Sequence, residues 1–249
     1  MITYDGKLFR VEGESVHYVS GLNWTHRGGF CQDSIGRLWV GTYGMGLHCF
    51  DATRVTIFKA EHGLPADSVR CLSRADNGRM LIGTSAGLVA YDGNTLTPVE
   101  GAEGISGRSI TGLTLDGDSN LWVGMMDGEL FMLGENGMER YSLLSAFDGE
   151  FTVENLVWDR AGRLWFSCTY RKGFGFFENG ELTYFSPSDT ADYPSWVRAL
   201  EVDAEGHVWI GSGTPASWDG ICRYDGRSFR KVDGVGGAPI LSLCCDQQG

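Results

Sequence analysis

Nine residues in glycine-rich segments of the chain carry the kinds of side chain that a small-ligand site needs. They combine aromatic rings, a guanidinium group and a carboxylate: Trp24, His26, Tyr43, Asp127, Tyr170, Arg171, Tyr193, Trp196 and Trp218. Aromatic rings stack on a ligand such as a sugar, and charged side chains supply directed hydrogen bonds. The alternative is that the rings fill gaps in the fold, as Trp196 would immediately before a strand. Tyr170, Arg171 and Trp218 lie in the longest segments and are the strongest candidates.

Catalytic and metal-binding patterns are not found in the sequence. The five histidines fall at unrelated positions, and neither the HExxH zinc pattern nor the GxSxG pattern of a hydrolase occurs. The carboxylates of DGDSN (116–120) resemble a calcium loop, but the glycine expected at the sixth position is missing. The sequence therefore predicts no catalytic residue, no metal and no cofactor.

Composition excludes some partners. The chain has 249 residues and a formal net charge of −12, which argues against nucleic-acid binding because a polyanion would be repelled. No apolar run is long enough to span a bilayer, so we expect no membrane contact within this segment. The seven cysteines form no CxxC pair, and most lie in apolar stretches. They are expected to be buried, reduced thiols, which favours a cytoplasmic location.

A repeat of about 42 residues determines the elements that must position any site. Its anchors are Trp39, Leu81, Trp122, Trp165 and Trp209, separated by 42, 41, 43 and 44 residues. Each copy contains four short strand-like segments, with a DxxG turn between the first two and a glycine-rich connection before the third. This period without helical periodicity predicts an all-β fold, a β-propeller of four-stranded antiparallel blades. We expect the tryptophan to pack between neighbouring blades.

The ends of the sequence match parts of the repeat. The head, MITYDGKLFRV, begins at a third strand, and the tail, APILSLCCDQQG, stops after a first strand and its turn. The chain thus holds five complete repeats plus partial blades at both ends. We expect residues 1–249 to be a single β-propeller domain, and a segment of a longer protein whose propeller has six or seven blades, because closure removes exposed sheet edges.

The second copy, residues 61–93 (EHGLPADSVRCLSRADNGRMLIGTSAGLVAYDG), resembles the two-component regulator propeller repeat. The match rests on residues 62–65, 69, 78, 83–84, 87–88 and 91–93. The resemblance implies a periplasmic, non-catalytic sensor domain of a hybrid two-component regulator. Such a domain would bind a small ligand such as a glycan, and its output domain would lie elsewhere in the parent chain. In propellers, ligands meet the loops before the first strand and between the second and third strands, which is where the nine candidate residues lie.

Two other functions remain open at this stage. One is a protein–protein interaction scaffold without a small ligand. The other is a propeller lyase of the streptogramin-cleaving kind, in which His26 and His62 occupy suitable loops. The compartment also stays open, because the family resemblance and the cysteine content favour different locations.

Overall fold

The chain is described by a computed structural model that covers residues 7–12, 15–21, 27–33, 35–51, 54–75, 77–143, 151–169, 173–185, 197–212, 220–232, 240 and 243. For residues 7–12, 15–21, 27–28, 30 and 142 the description is confined to the backbone. This part of the chain contains 22 strands and two short 3₁₀ helices, Ala60–His62 and Glu103–Ile105. No helix within it has the length and hydropathy needed to cross a bilayer.

The strands follow one another with short connections. They are β1 (Lys7–Glu12), β2 (Ser15–Gly21), β3 (Arg27–Gln32), β4 (Leu38–Thr42), β5 (Leu47–Phe50), β6 (Val55–Phe58), β7 (Val69–Arg74), β8 (Met80–Thr84), β9 (Gly87–Tyr91), β10 (Leu96–Pro98), β11 (Ile110–Leu115), β12 (Leu121–Met125), β13 (Glu129–Gly134), β14 (Gly137–Ser142), β15 (Val153–Trp158), β16 (Leu164–Cys168), β17 (Phe174–Glu178), β18 (Glu181–Phe185), β19 (Val197–Val202), β20 (Val208–Ser212), β21 (Gly220–Tyr224) and β22 (Phe229–Lys231).

Twenty of these strands form five four-stranded antiparallel blades, each built from consecutive strands. Blades 1 to 5 are β3–β6, β7–β10, β11–β14, β15–β18 and β19–β22, and β1 pairs with β2 in a separate hairpin. The first strand of each blade contacts the first strand of the next, β3 with β7, β7 with β11, β11 with β15 and β15 with β19. The first strands therefore surround a common axis. The predicted β-propeller of four-stranded blades is confirmed.

The repeated aspartate and tryptophan are hydrogen-bonded partners. The indole N–H of the tryptophan donates to the Oδ2 of the aspartate six residues earlier, and this pair is found in blades 1, 3, 4 and 5. The pairs are Trp39–Asp33 at 2.8 Å, Trp122–Asp116 at 3.0 Å, Trp165–Asp159 at 2.7 Å and Trp209–Asp203 at 2.7 Å. In blade 2 the same positions hold Ala75 and Leu81. The aspartate and the tryptophan are replaced together in blade 2. A buried carboxylate without the indole donor would lower the stability of the fold.

The tryptophans also join neighbouring blades, as the repeat predicts. The ring of Trp39 lies 5.0 Å from that of Tyr91 in blade 2. Trp165 lies 5.1 Å from Tyr224 in blade 5. In blade 2, Leu81 takes the same place, and packs in one buried cluster with Ile110 of blade 3. The anchor position thus stabilises the contact between successive blades by burying apolar area.

In blades 2, 3 and 5 the glycine two residues after the anchor lies against the segment that follows the blade, whereas blade 4 has Ser167 at this position. A Cβ on Gly83 would lie 2.8 Å from Cγ2 of Ile110, and one on Gly211 would lie 2.7 Å from Cγ2 of Ile240. Such approaches are too close for carbon atoms in a packed interior. Ile240 in the tail thus occupies the place that Ile110 takes beside blade 2, which fits the first strand predicted there.

The aspartates of the turns predict a loss of stability in acid. Burial raises the pKa of Asp203, but hydrogen bonds from Trp209 and His207 outweigh burial and lower this pKa from 3.8 to about 2. Burial likewise raises the pKa of Asp33 and Asp116, and their hydrogen bonds again outweigh it. A carboxylate with a depressed folded-state pKa stabilises the fold above its unfolded pKa and loses that effect as the pH falls through the folded value.

We therefore expect the free energy of unfolding to decrease as the pH falls from about 4 to about 2. Urea titrations at several pH values measure this dependence, and Asp203→Asn, which cannot titrate, should have a shallower one. A wild-type stability that stays constant across this window would contradict the expectation.

A candidate ligand site at the axis of the loop face

Two sets of loops lie on the same face of the propeller, as the sequence predicts for a ligand site. The loop between the second and third strands of one blade is hydrogen-bonded to the segment before a first strand. Gly46 N donates to Asp67 O at 2.8 Å, Met126 N donates to Ser109 O at 3.0 Å, and Thr169 N donates to Thr152 O at 3.0 Å. The DxxG turns lie at the other end of the blades. We call the end of the blades that carries these hydrogen-bonded loops the loop face.

Two of the nine candidate residues, Tyr43 and Asp127, belong to the described part of the chain, and both lie on the loop face. The others lie outside it: Trp24, His26, Tyr170, Arg171, Tyr193, Trp196 and Trp218. For these seven the binding role stays a prediction.

Tyr43 follows β4 and forms a backbone bridge with Ser68 of the segment before β7. Its side chain is 43 % exposed. The guanidinium carbon of Arg70 lies 5.0 Å from the centre of the tyrosine ring, a distance typical of a cation–π contact. Burial of part of the ring raises the pKa of Tyr43, Arg70 opposes this and Glu154 adds to it. The phenol therefore stays protonated and available as a hydrogen-bond donor at neutral pH.

Arg70 belongs to a set of residues at β-bulges that recur in every blade. The register of the first and second strands shifts at the same place in all five blades. A bulge leaves one residue without a partner in the ladder. The residues at this place are Gly28 and Gly29 in blade 1, Arg70 in blade 2, Thr111 in blade 3, Glu154 in blade 4 and Arg198 in blade 5. Because each first strand forms the inner edge of its blade, the bulges lie around the axis.

Tyr43 and Glu154 interact electrostatically although they belong to different blades. Tyr43 comes from blade 1 and Glu154 from blade 4, and these blades are not neighbours in the order of contacts. Glu154 is nevertheless close enough to influence the pKa of Tyr43. The interaction fits a position of both side chains near the first strands, which form the inner edges of the blades.

The Glu154 carboxyl group is half-buried. Burial raises its pKa, and the positive charge of Arg198 opposes the shift. The carboxylate makes neither an ion pair nor a hydrogen bond with another residue of the described ranges. We call Tyr43, Arg70, Glu154 and Arg198 the axial cluster. It offers an aromatic face, two guanidinium groups and a carboxylate.

Sequence reasoning missed the three charged members of this cluster. Their signal is a polar residue at a fixed place inside an otherwise apolar first strand, as in VRCL, VENL and VRAL. Strand alternation does not single them out, because the bulge changes the direction of the side chain.

Asp127 has a different environment. Nη2 of Arg108 donates to Oδ2 of Asp127 at 2.5 Å and to Oε2 of Glu129 at 2.6 Å. Glu129 is also paired with Arg140. The Asp127 carboxylate is therefore engaged in an ion-pair network at the rim of blade 3, and its proposed contact with a ligand would have to compete with Arg108.

Large apolar side chains are exposed on the loop face. Met45 follows Tyr43 in the connection after β4 and is 40 % exposed, while Met126 after β12 is 49 % exposed. Methionine adapts to differently shaped partners because its side chain is flexible and polarisable. These residues add exposed apolar area to the loop face.

One histidine and two cysteines that could take part in catalysis have structural roles or are buried. Nδ1 of His62 accepts the backbone N–H of Lys59 at 3.0 Å, which closes the turn before β7. Burial raises the pKa of Cys71 to about 12 and that of Cys222 to about 12, so these thiols stay protonated and are poor nucleophiles.

One group of metal-ligand types occurs within the described ranges. Asp203, Glu205 and His207 place ligand atoms within 4.8 Å of one another in the turn before β20. Asp203 already accepts hydrogen bonds from Trp209 and His207 there, so the group is explained by the turn that all but one of the blades share.

The opposite end of the axis contains a cavity of about 410 Å³. Its lining includes Thr114, Trp158, Arg160 and Glu201, from the ends of the first strands and the turns that follow them. Burial raises the pKa of Glu201. Glu201 thus resembles Glu154 in chemistry but lies at the other end of the molecule.

Comparison with known protein families identifies one copy of the repeat. The family model described as the two component regulator propeller matches residues 21–44, which include the first DxxG turn and the strand LWVGT. The chain contains a two-component regulator propeller repeat. The resemblance inferred from residues 61–93 is thereby confirmed from a second copy of the repeat. No curated protein matches the chain.

Solved structures with the same fold include sensors and enzymes. The extracellular domain of a protein assigned as a hybrid two-component system from B. thetaiotaomicron aligns with a TM-score of 0.72 at 18 % identity, over 98 % of this chain and 36 % of that one. Virginiamycin B lyase from Staphylococcus aureus aligns with a TM-score of 0.62 at 14 % identity, over 83 % and 70 %. A gluconolactonase from Xanthomonas campestris aligns with a TM-score of 0.57 at 17 % identity, over 80 % and 72 %.

These similarities establish the propeller fold that the two-component regulator repeat predicts. The chain spans about a third of the length of the first of these proteins. Since the same fold serves both sensors and enzymes, function has to be argued from the site.

Proposed function

We propose that this chain is a non-catalytic ligand-recognition propeller of a signalling protein, and that it binds a small polar ligand such as a glycan on the loop face. The observation that carries the proposal is the axial cluster, in which Tyr43, Arg70 and Glu154 come together from three different blades. Convergence of polar groups and an aromatic ring from separate elements is typical of small-molecule sites. The two-component regulator repeat supports a role in signalling.

The groups of the axial cluster suit a polyhydroxylated ligand. The exposed part of the Tyr43 ring would stack on the ligand, and Arg70 would donate hydrogen bonds to its oxygen atoms. Glu154 would accept hydrogen bonds from hydroxyl groups. A ligand held in this way contacts blades 1, 2 and 4 at once. It would shift an existing equilibrium in the parent protein if the two states of that protein differ in how these blades are arranged.

Ligand binding tests the proposal. Neutral and charged monosaccharides and disaccharides are screened by thermal shift, and hits are measured by calorimetry. We expect a hit that Tyr43→Ala weakens by about tenfold, since loss of a stacking ring costs roughly 1 kcal/mol or more. Ile35→Ala is the matched control, because Ile35 is 74 % exposed in the turn at the opposite face. A folded protein that binds nothing in the screen, or a hit that Tyr43→Ala leaves unchanged, would contradict the proposal.

A protein–protein interaction scaffold is the second candidate, and the exposed side chains of Met45 and Met126 on the loop face favour it. Its partner would cover the loop face. An empty ligand screen on folded protein would shift the balance to this function. For a lyase, His62→Ala should abolish turnover, and the engagement of His62 in the turn before β7 argues against that role.

A further inference from the structure

We propose that the axial cluster recognises an anionic group, a carboxylate or a phosphate, on the ligand. The inference rests on the proposed function, ligand binding at the loop face, and specifies the chemistry of the ligand. Arg70 is the residue expected to contact the anion, and Arg198, which occupies the equivalent bulge of blade 5, is expected to add positive charge.

Among the described residues, Arg70 lacks the carboxylate partner that arginines of blades 1, 3 and 4 have. Arg37, Arg108 and Arg163 are each paired with an aspartate at 2.5–2.6 Å. Arg70 is also half-buried, but it forms no ion pair with any residue of the described ranges and lies instead against the ring of Tyr43. A guanidinium group taken partly out of water normally has a carboxylate partner. An anionic ligand would supply that partner.

The sign of the local charge supports the same conclusion. The chain has a formal net charge of −12, so most of its surface repels anions. The bulge residues of the described blades include two arginines and one glutamate, which amounts to a local charge of +1 when all three are ionised. Positive charge concentrated at the axis of an acidic protein attracts an anion to that one place.

The chemistry of the side chains indicates which anions fit. A guanidinium group presents a planar set of donors that matches the two oxygens of a carboxylate or phosphate. Glu154 repels the anion itself and so selects for a ligand that places a hydroxyl group, not a second negative group, on its side of the axis. A sugar acid or a sugar phosphate has this combination of groups.

The probes are glucuronate, glucose 6-phosphate, inorganic phosphate and glucose, each measured by calorimetry at low and high salt. We expect both charged sugars to bind at least about tenfold tighter than glucose, with an affinity that decreases as salt is added. A preference between glucuronate and glucose 6-phosphate identifies the anion as carboxylate or phosphate. Binding of inorganic phosphate as tight as that of glucose 6-phosphate would locate the recognition in the anion alone.

Variants separate this inference from the proposed function. Arg70→Gln should weaken the charged probes by at least about tenfold more than it weakens glucose, while Glu154→Gln should tighten the charged probes. Arg74→Gln is the matched control, because it removes the same charge from the other end of β7. Glu201→Gln controls for binding at the opposite cavity. Thermal unfolding of every variant shows whether it is folded. If Arg70→Gln does not fold, Arg70→Lys and Arg198→Gln test the same positive charge with a smaller change or at a second position.

Each outcome has a defined meaning. Glucose binding that depends on Tyr43, with no preference for charged probes and an effect of Arg70→Gln that is equal for glucose and for the charged probes, would overturn the anion inference and leave the proposed function intact. Absence of binding by all three anionic probes at millimolar concentration would also overturn the inference. Salt-sensitive binding of the charged probes that is lost in Arg70→Gln and kept in Arg74→Gln would establish it.

Discussion

Replacing Trp165 by alanine is expected to lower the free energy of unfolding by about 3–5 kcal/mol. The indole is 0 % exposed and lies between blades 4 and 5. Its ring centre is 4.7 Å from that of Phe176 and 5.1 Å from that of Tyr224. Truncation would leave a cavity at an interface between blades that rigid strands cannot fill, and would remove the donor to Asp159.

Urea denaturation followed by circular dichroism measures the effect of Trp165→Ala. Ile35→Ala serves as the control, because its exposed side chain contributes little to the core, and it should change stability by less than about 0.5 kcal/mol. A loss below about 1 kcal/mol for Trp165→Ala would show that the anchor position does not hold successive blades together.

Replacing Asp159 by alanine is expected to cost about 3–5 kcal/mol, which is as much as removing the ring. The carboxylate is 1 % exposed and accepts four hydrogen bonds. Two come from the backbone N–H groups of Ala161 and Arg163, one from Nε of Arg163 at 2.6 Å and one from the indole of Trp165 at 2.7 Å. Alanine would leave all four donors without an acceptor and the Arg163 charge buried without a partner.

Asp118 provides the matched control for this variant. It lies in the corresponding turn of blade 3 but is exposed, and its carboxylate accepts none of the hydrogen bonds that the turn aspartate accepts. Asp118→Ala should change stability by less than about 0.5 kcal/mol. In a double variant, Asp159→Ala and Trp165→Phe should cost less than the sum of the two single changes, because they remove the same hydrogen bond. Strict additivity would mean that the pair contributes nothing as a pair.

Blade 2 shows how a repeat can do without this pair. Ala75 and Leu81 replace the aspartate and the tryptophan together, and the turn keeps its backbone hydrogen bond from Ala75 N to Arg79 O at 2.8 Å. The turn therefore depends on its backbone bonds, whereas the carboxylate is needed only where an indole is present. The degenerate copy could be recognised in the sequence because the period and the glycine positions persisted after both side chains had changed.

The candidate site was predicted less completely than the fold. The sequence predicts Tyr43 and Asp127 as site residues because both lie in loops between second and third strands. The structure adds that Asp127 is paired with Arg108 and that Tyr43 lies against Arg70. Neither partnership could be foreseen, because Asp127 and Arg108 are 19 residues apart and their contact depends on the separation of two loops at the rim of blade 3.

The sequence by itself determined the blade. The period, the turn residues and the anchor residues recur in each copy of the repeat. The hydrogen bonds of a four-stranded antiparallel blade link segments that are neighbours along the chain. Only the tertiary structure decided what lies at the axis. Arg70, Glu154 and Arg198 belong to different blades, and the sequence around each of them does not mark it as a site residue. They form a cluster because bulges at equivalent places turn the inner edges of successive blades toward one centre, and that geometry exists only once the blades are arranged around the axis.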